Sequence, residues 1–184
     1  MNKKLKLEEL NRLSVLEFKE AEKDPIIVLL DDVRSLNNIG SVFRTCDAMG
    51  IKKMYLCGIT GQPPHREIRK TAIGASESVD WEHKKNAPEI LTKYRDLGYE
   101  IIAVEQTSNS QSLENYQLKN NKILLIFGNE ITGVSQKLID LCNRHRQRGQ
   151  EPDRLDRLQH RRAVALQPAE LDLLAVEIQE PRTD

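Results

Sequence analysis

The chain has little of what marks metal, disulfide or membrane proteins. Its three cysteines, Cys46, Cys57 and Cys142, form no CxxC pair or other zinc spacing. An odd number of them, with no export signal, predicts free thiols. The four histidines, His65, His83, His145 and His160, make no ligand-spaced pair on one element, so no metal is expected and none is assigned to catalysis. No apolar run approaches the roughly 20 residues needed to cross a bilayer. The start, Met1-Asn2-Lys3-Lys4-Leu5, leads into a charged amphipathic stretch without a signal-peptide core, which predicts a cytoplasmic protein. Charge of one sign is not in excess either: 28 Lys and Arg balance 28 Asp and Glu, so any nucleic-acid footprint must be local. GxGxxG, the P-loop and GxSxG are absent, which leaves nucleotide hydrolysis and serine esterase chemistry without a motif.

What is present is a run of buried-strand signals. The 184 residues suffice for one domain with a short appendage. Leu5, Leu7, Leu10, Leu13 and Leu16 recur near helical spacing, predicting an amphipathic N-terminal helix within residues 1–24, ending before Asp24-Pro25. Apolar runs at 26–30, 54–57, 99–104 and 123–127 read as strands, and helical patterns at 39–49, 67–73 and 87–97 separate them. Continuous apolar strands spaced by helices predict an α/β fold: a mostly parallel sheet with helices on both faces. Such sheets place ligands at the carboxyl ends of their strands.

Composition breaks near Asn143. Up to there the chain holds 14 Lys, 6 Arg and 14 Ile, while the last 41 residues hold no Lys, 8 Arg, one Ile and no aromatic residue. Residues 143–184 therefore read as a divergent Arg-rich tail, partly disordered, with only 166–178 patterned for a helix. The abrupt change suggests a shifted reading frame near codon 143 or a recombined terminus.

Three segments could carry chemistry. In the first, residues 37–50, Asn38 suits a helix N-cap and Gly50 the stop. Ile39, Val42, Phe43, Cys46 and Met49 share one helical face, which leaves Arg44 free to meet solvent or a ligand, and its guanidinium fork matches phosphate. The second, residues 123–135, runs a strand into Gly128-Asn129-Glu130-Ile131-Thr132-Gly133-Val134-Ser135, a glycine-flanked polar loop before a helix. Such a loop brings backbone amides to a ligand, with Gly128 allowing close approach. The third is basic: Arg66, Arg69 and Lys70 could track phosphates, although helical spacing is expected to spread them over more than one face.

Taken in order, Asn38-Ile39-Gly40 with Arg44 six residues after Asn38, then Lys70-Thr71-Ala72-Ile73-Gly74-Ala75, Val104-Glu105-Gln106-Thr107, and Ile126-Phe127-Gly128-Asn129-Glu130 through Ser135 carry a resemblance. Over residues 26–142 the chain resembles the SpoU (TrmH-like) family of S-adenosylmethionine-dependent RNA ribose 2′-O-methyltransferases. The resemblance implies a SPOUT-type fold with a C-terminal trefoil knot, a homodimer, S-adenosyl-L-methionine as cofactor, and tRNA or rRNA as substrate. It implies catalytic roles for Arg44, Asn38 and Glu130, and cofactor contacts from Gly128, Asn129, Glu105 and Gln106. An arginine is an awkward base, its pKa exceeding about 12. Arg44 is therefore expected to orient the hydroxyl and stabilise negative charge, with Glu130 positioning. The family's third motif, a Ser-Leu-Asn-containing segment that completes the knot, is missing, since residues 143–184 contain no serine. A chain without it could leave the knot incomplete and serve as a catalytically impaired RNA-binding or dimerisation module.

Overall fold

The computed structural model describes residues 3, 4, 6, 13–108, 110–142 and 163–165. Among these are seven strands: β1 (Asp24–Asp31), β2 (Ile51–Cys57), β3 (Trp81–Lys84), β4 (Glu100–Val104), β5 (Gln111–Ser112), β6 (Ile123–Phe127) and β7 (Ala163–Ala165). They form one sheet in the order β3-β2-β1-β6-β4-β7-β5, and every pairing between strands is parallel. The helices are α1 (Val15–Glu20), α2 (Leu36–Ala48), α3 (Arg66–Ala72), α4 (Ala75–Ser78), α5 (Ala87–Asp96) and α6 (Gln136–Cys142).

The central strand shows why the apolar runs are continuous. In β1, Ile27 and Leu29 face a core shared with Leu91 and Tyr94 of α5 and Leu138 of α6. Val28 and Leu30 face the opposite core, with Ile39 and Phe43 of α2 and Ile68 of α3. Both faces are buried, so no residue of 27–30 needs to be polar. Four buried aliphatics in β1, Ile27 to Leu30, at about 25 cal/mol per Å² of apolar surface contribute several kcal/mol before chain entropy is set against them.

Several expectations need correction. The N-cap of α2 is Ser35, whose hydroxyl accepts the Asn38 N–H at 3.2 Å, so Asn38 lies inside the first turn. Gly50 does follow the helix, with φ 60°, as a C-terminal stop should. Met49 is 64% exposed, not part of the buried face. The N-terminal helix, described here only over Val15–Glu20, is closed by a Ser14–Glu17 capping box and buries none of its residues. Residues 1, 2, 5 and 7–12 of that expectation lie outside the described residues, as do the expectations for 143–162 and 166–178. Inside the tail, Ala163–Ala165 forms β7 between β4 and β5, with Ala103 opposite Ala163 and Gln111 opposite Val164. A strand there departs from the expectation of a divergent, partly disordered tail.

Candidate functional site

The chain leaves β1 toward the α2 face and leaves β6 toward the α6 face, although β1 and β6 are neighbours. Loops that part in this way open a crevice at the carboxyl ends of the two strands, the usual ligand position in an open parallel sheet. Residues 31–35 and 128–135 meet there.

Glu130 joins the two loops. Its Oε2 accepts the Arg34 N–H at 3.0 Å, and its Oε1 accepts the Ser35 N–H at 3.0 Å and the Asn38 Nδ2–H at 3.1 Å. A carboxylate thus sits at the N-terminal end of α2, where the helix dipole and free amides favour negative charge. Partial burial works to raise its pKa, but the amides of Arg34, Glu130 itself and Ser35, with the Asn38 side chain, outweigh that and hold the carboxyl below the ordinary value. An ionised, thrice-bonded carboxylate is a poor proton acceptor and a good clamp.

The 128–134 loop is tied to itself. Asn129 and Gly133 exchange backbone hydrogen bonds at 3.0 and 2.8 Å. The Asn129 side chain accepts from the Ile131 and Thr132 amides at 2.9 and 3.2 Å and donates to the Asp32 carbonyl at 2.7 Å. A Cβ on Gly128 would collide with the Gly133–Val134 peptide, so the absence of a side chain there lets the loop pack against itself. Glu105, after β4, accepts from Val134 N–H at 2.7 Å and Gln106 N–H at 2.8 Å, and lies where a Gly133 side chain would be. Gln106 is exposed beside it.

Sequence reasoning missed the other half of this clamp. The carboxylate of Asp31, 6% exposed, accepts the Ser135 N–H at 3.0 Å, and that of Asp32, at φ 57°, accepts the Ile59 N–H at 2.9 Å. Buried Thr60 accepts from Val33 N–H at 3.0 Å and donates to the Leu30 carbonyl at 3.3 Å. The available signal was a pair of acidic residues, Asp31 and Asp32, directly after a buried strand.

Arg44 stands six residues beyond Asn38 on α2, about 9 Å along the helix, exposed as expected. Neither a hydrogen bond nor an ion pair engages its side chain among the described residues; the ion pairs there are Lys53–Glu82 and Lys84–Glu82. Arg66, Arg69 and Lys70 are not spread over several faces. Positions i, i+3 and i+4 share one, and all three line a single cleft of about 540 Å³ together with Pro64, Gly74, Ser76 and Glu77. Behind it, α3 meets α2 where Gly40 lies; a Cβ there would strike Thr71 and the Ile68 carbonyl, and Thr71 donates to the Asn37 carbonyl at 3.0 Å. The 37–50 and 66–75 segments are therefore one packed unit.

Thiol chemistry has no support. Cys46, Cys57 and Cys142 are free and buried, and burial pushes each thiol up to about 12. Among the described residues no three His, Cys, Asp or Glu side chains gather as a metal site would require, and no helix is long and apolar enough to cross a membrane.

Comparison with known proteins agrees with this architecture. The pattern of the SpoU rRNA Methylase family matches residues 25–147. A tRNA (guanosine(18)-2′-O)-methyltransferase of Aquifex aeolicus is 25% identical over 134 residues, covering 70% of this chain and 60% of that protein. Its counterpart in Borreliella burgdorferi is 27% identical over 111 residues, 60% of this chain and 50% of that protein. An AdoMet-bound rRNA methyltransferase from Sinorhizobium meliloti superimposes with a TM-score of 0.62 at 20% identity, covering 91% of this chain and 53% of that one, a likeness of fold. The chain thus spans about half to three-fifths of the length of these relatives.

Proposed function

Because the chain belongs to the SpoU rRNA methylase family, we propose that it methylates a ribose 2′-hydroxyl of tRNA or rRNA, with residues 25–142 as its catalytic domain. S-adenosyl-L-methionine would supply the methyl group as an electrophilic sulfonium substituent. The observation that carries the reading is the Glu130 clamp, which ties the loops after β1 and β6 together at the N-terminal end of α2, the helix that presents Arg44, exposed and unpaired among the described residues.

The described residues fit the cofactor as a framework. Glu105 and Asn129 spend their polar atoms on the loop, and Gly128 makes room for it. Contacts to a nucleoside would then come from the main chain of 104–107 and 127–132 and from the exposed Gln106. Arg44 orients the ribose hydroxyl and its neighbouring phosphate and stabilises the charge that develops as the hydroxyl proton leaves, with an RNA phosphate assisting. Asn38 and Glu130 act through position: they fix the N-terminal end of α2 against the 128–134 loop. A homodimer accompanies this reading, and the 78% exposed Ile131 beside Glu130 and the 68% exposed Ile59 are apolar surface it could cover.

Transfer of a labelled methyl group from S-adenosyl-L-methionine to RNA tests the proposal, with light scattering for the dimer. One observation favours a second reading, an RNA-binding or dimerisation module without turnover: residues 143–184 contain no serine where the family's third motif belongs. A calorimetric titration with S-adenosyl-L-methionine separates the two, since only the enzyme must bind it.

A further inference from the structure

Gly40, Arg44 and Asp47 stand at i, i+4 and i+7, one stripe of α2. Gly40 lies against Ile68, Thr71 and Ala72, and the Ser78 hydroxyl donates to Asp47. Arg44 falls between these two contacts along α2, and the turn from Ile73 to Glu77 joins the segments that make them. That turn is sharply bent: Ile73 and Gly74 are consecutive left-handed residues at φ 47° and 87°, a conformation a β-branched side chain adopts only at a cost. It carries Gly74, Ser76 and Glu77 to the same cleft that Arg66, Arg69 and Lys70 line from α3. Three cations share a concavity with one carboxylate, and none of the four is in an ion pair among the described residues.

We propose that this cleft is a nucleotide subsite for single-stranded RNA next to the methylated residue, with Arg66, Arg69 and Lys70 on the phosphate and Glu77 on the base. The inference rests on the methyltransferase reading above and deepens it. A concave site of about 540 Å³ admits a splayed-out nucleotide, whereas a duplex keeps its bases stacked and its grooves shape-defined. A carboxylate accepts two parallel N–H donors, and guanine, with N1–H beside its 2-amino group, is the standard base that offers such a pair on one edge. Glu77 thus selects guanine, with the Ser76 hydroxyl available to the same base.

The test uses the full chain and short labelled RNAs: an all-uridine strand, the same strand with one central guanosine, and a duplex of equal length, each titrated over a salt series. The guanosine strand is expected to bind about tenfold more tightly than the all-uridine strand, and both more tightly than the duplex. Glu77→Gln should bring the two single strands level without weakening the all-uridine one. Replacing Arg66, Arg69 and Lys70 by Gln should flatten the salt slope by up to about 2, at about 0.7 per single-strand contact. Equal tightening of both strands by Glu77→Gln, an unchanged salt slope in the triple variant, or duplex binding as tight as single-strand binding would overturn the subsite. Calorimetry with S-adenosyl-L-methionine separates the failures. If the chain binds cofactor and RNA but the variants change nothing, the subsite alone is wrong; if it binds neither, both readings fall.

Discussion

At the N-terminal end of α2 the Glu130 carboxylate meets the backbone amides of Arg34 and Ser35 and the side chain of Asn38, whereas along its flank Arg66, Arg69 and Lys70 line a cleft without an ion-pair partner among the described residues. The first region spends its charge on the fold. Glu130, Glu105 and Asp31 each accept backbone N–H groups across loops far apart in sequence, so their replacement should be felt in stability. The second region holds its charge in reserve, and its replacement should be felt in binding. A polar side chain in a site is therefore not evidence of ligand contact until its partners are counted.

The sharpest way to break the contrast is at the loop. Gly128→Ala should destabilise the protein by about 3 kcal/mol, because the added methyl meets backbone that cannot swing aside, and lower the melting temperature by about 6–12 °C. Calorimetric melting checks this.

Glu130→Gln keeps the shape and removes the charge, at about 1 kcal/mol for an exposed helix-end anion. Its folded pKa is depressed, so its contribution is fully present above the unfolded value, near 4.3. The contribution is lost as pH falls through the lower folded value. Urea melts between about pH 6 and 3 should show a stability difference between wild type and Glu130→Gln that shrinks at the acid end. A constant difference would place the effect in lost packing.

Replacing Arg66, Arg69 and Lys70 by Gln should change stability by no more than about 0.5 kcal/mol, since these side chains are exposed and without an ion-pair partner among the described residues. A loss of several kcal/mol would show that the cleft, like the loop, is built into the fold.

How much of this was legible in the sequence depended on burial. β1, β2, β4 and β6 announced themselves because helices cover both sheet faces there, which forces continuous apolar runs. Trp81–Lys84 did not, since it is an edge strand whose Glu82 and Lys84 face each other and solvent. Ala163–Ala165 is too short to carry a period. Asn38 was mistaken for the cap because Ser35 and Asn38 are both cap-forming types three residues apart, and only the hydroxyl-to-amide bond tells which one turns the chain. The Glu130 contacts span 92 to 96 positions, so no local pattern could reveal them; motif order placed Glu130 and Asn38 in one site, and the geometry says what they do to each other.

That Arg44 serves chemistry and not structure is the step on which the proposed function turns. Its most direct test is single-turnover transfer of a labelled methyl group from S-adenosyl-L-methionine to RNA, comparing the chain with Arg44→Ala and Arg44→Lys at matched melting temperatures. The wild type should transfer the label, and Arg44→Ala should lose at least about 100-fold. Arg44→Lys should recover little, because a point charge does not reproduce the guanidinium fork. Near-normal turnover by Arg44→Ala, or no transfer by the wild type despite RNA binding, would contradict it.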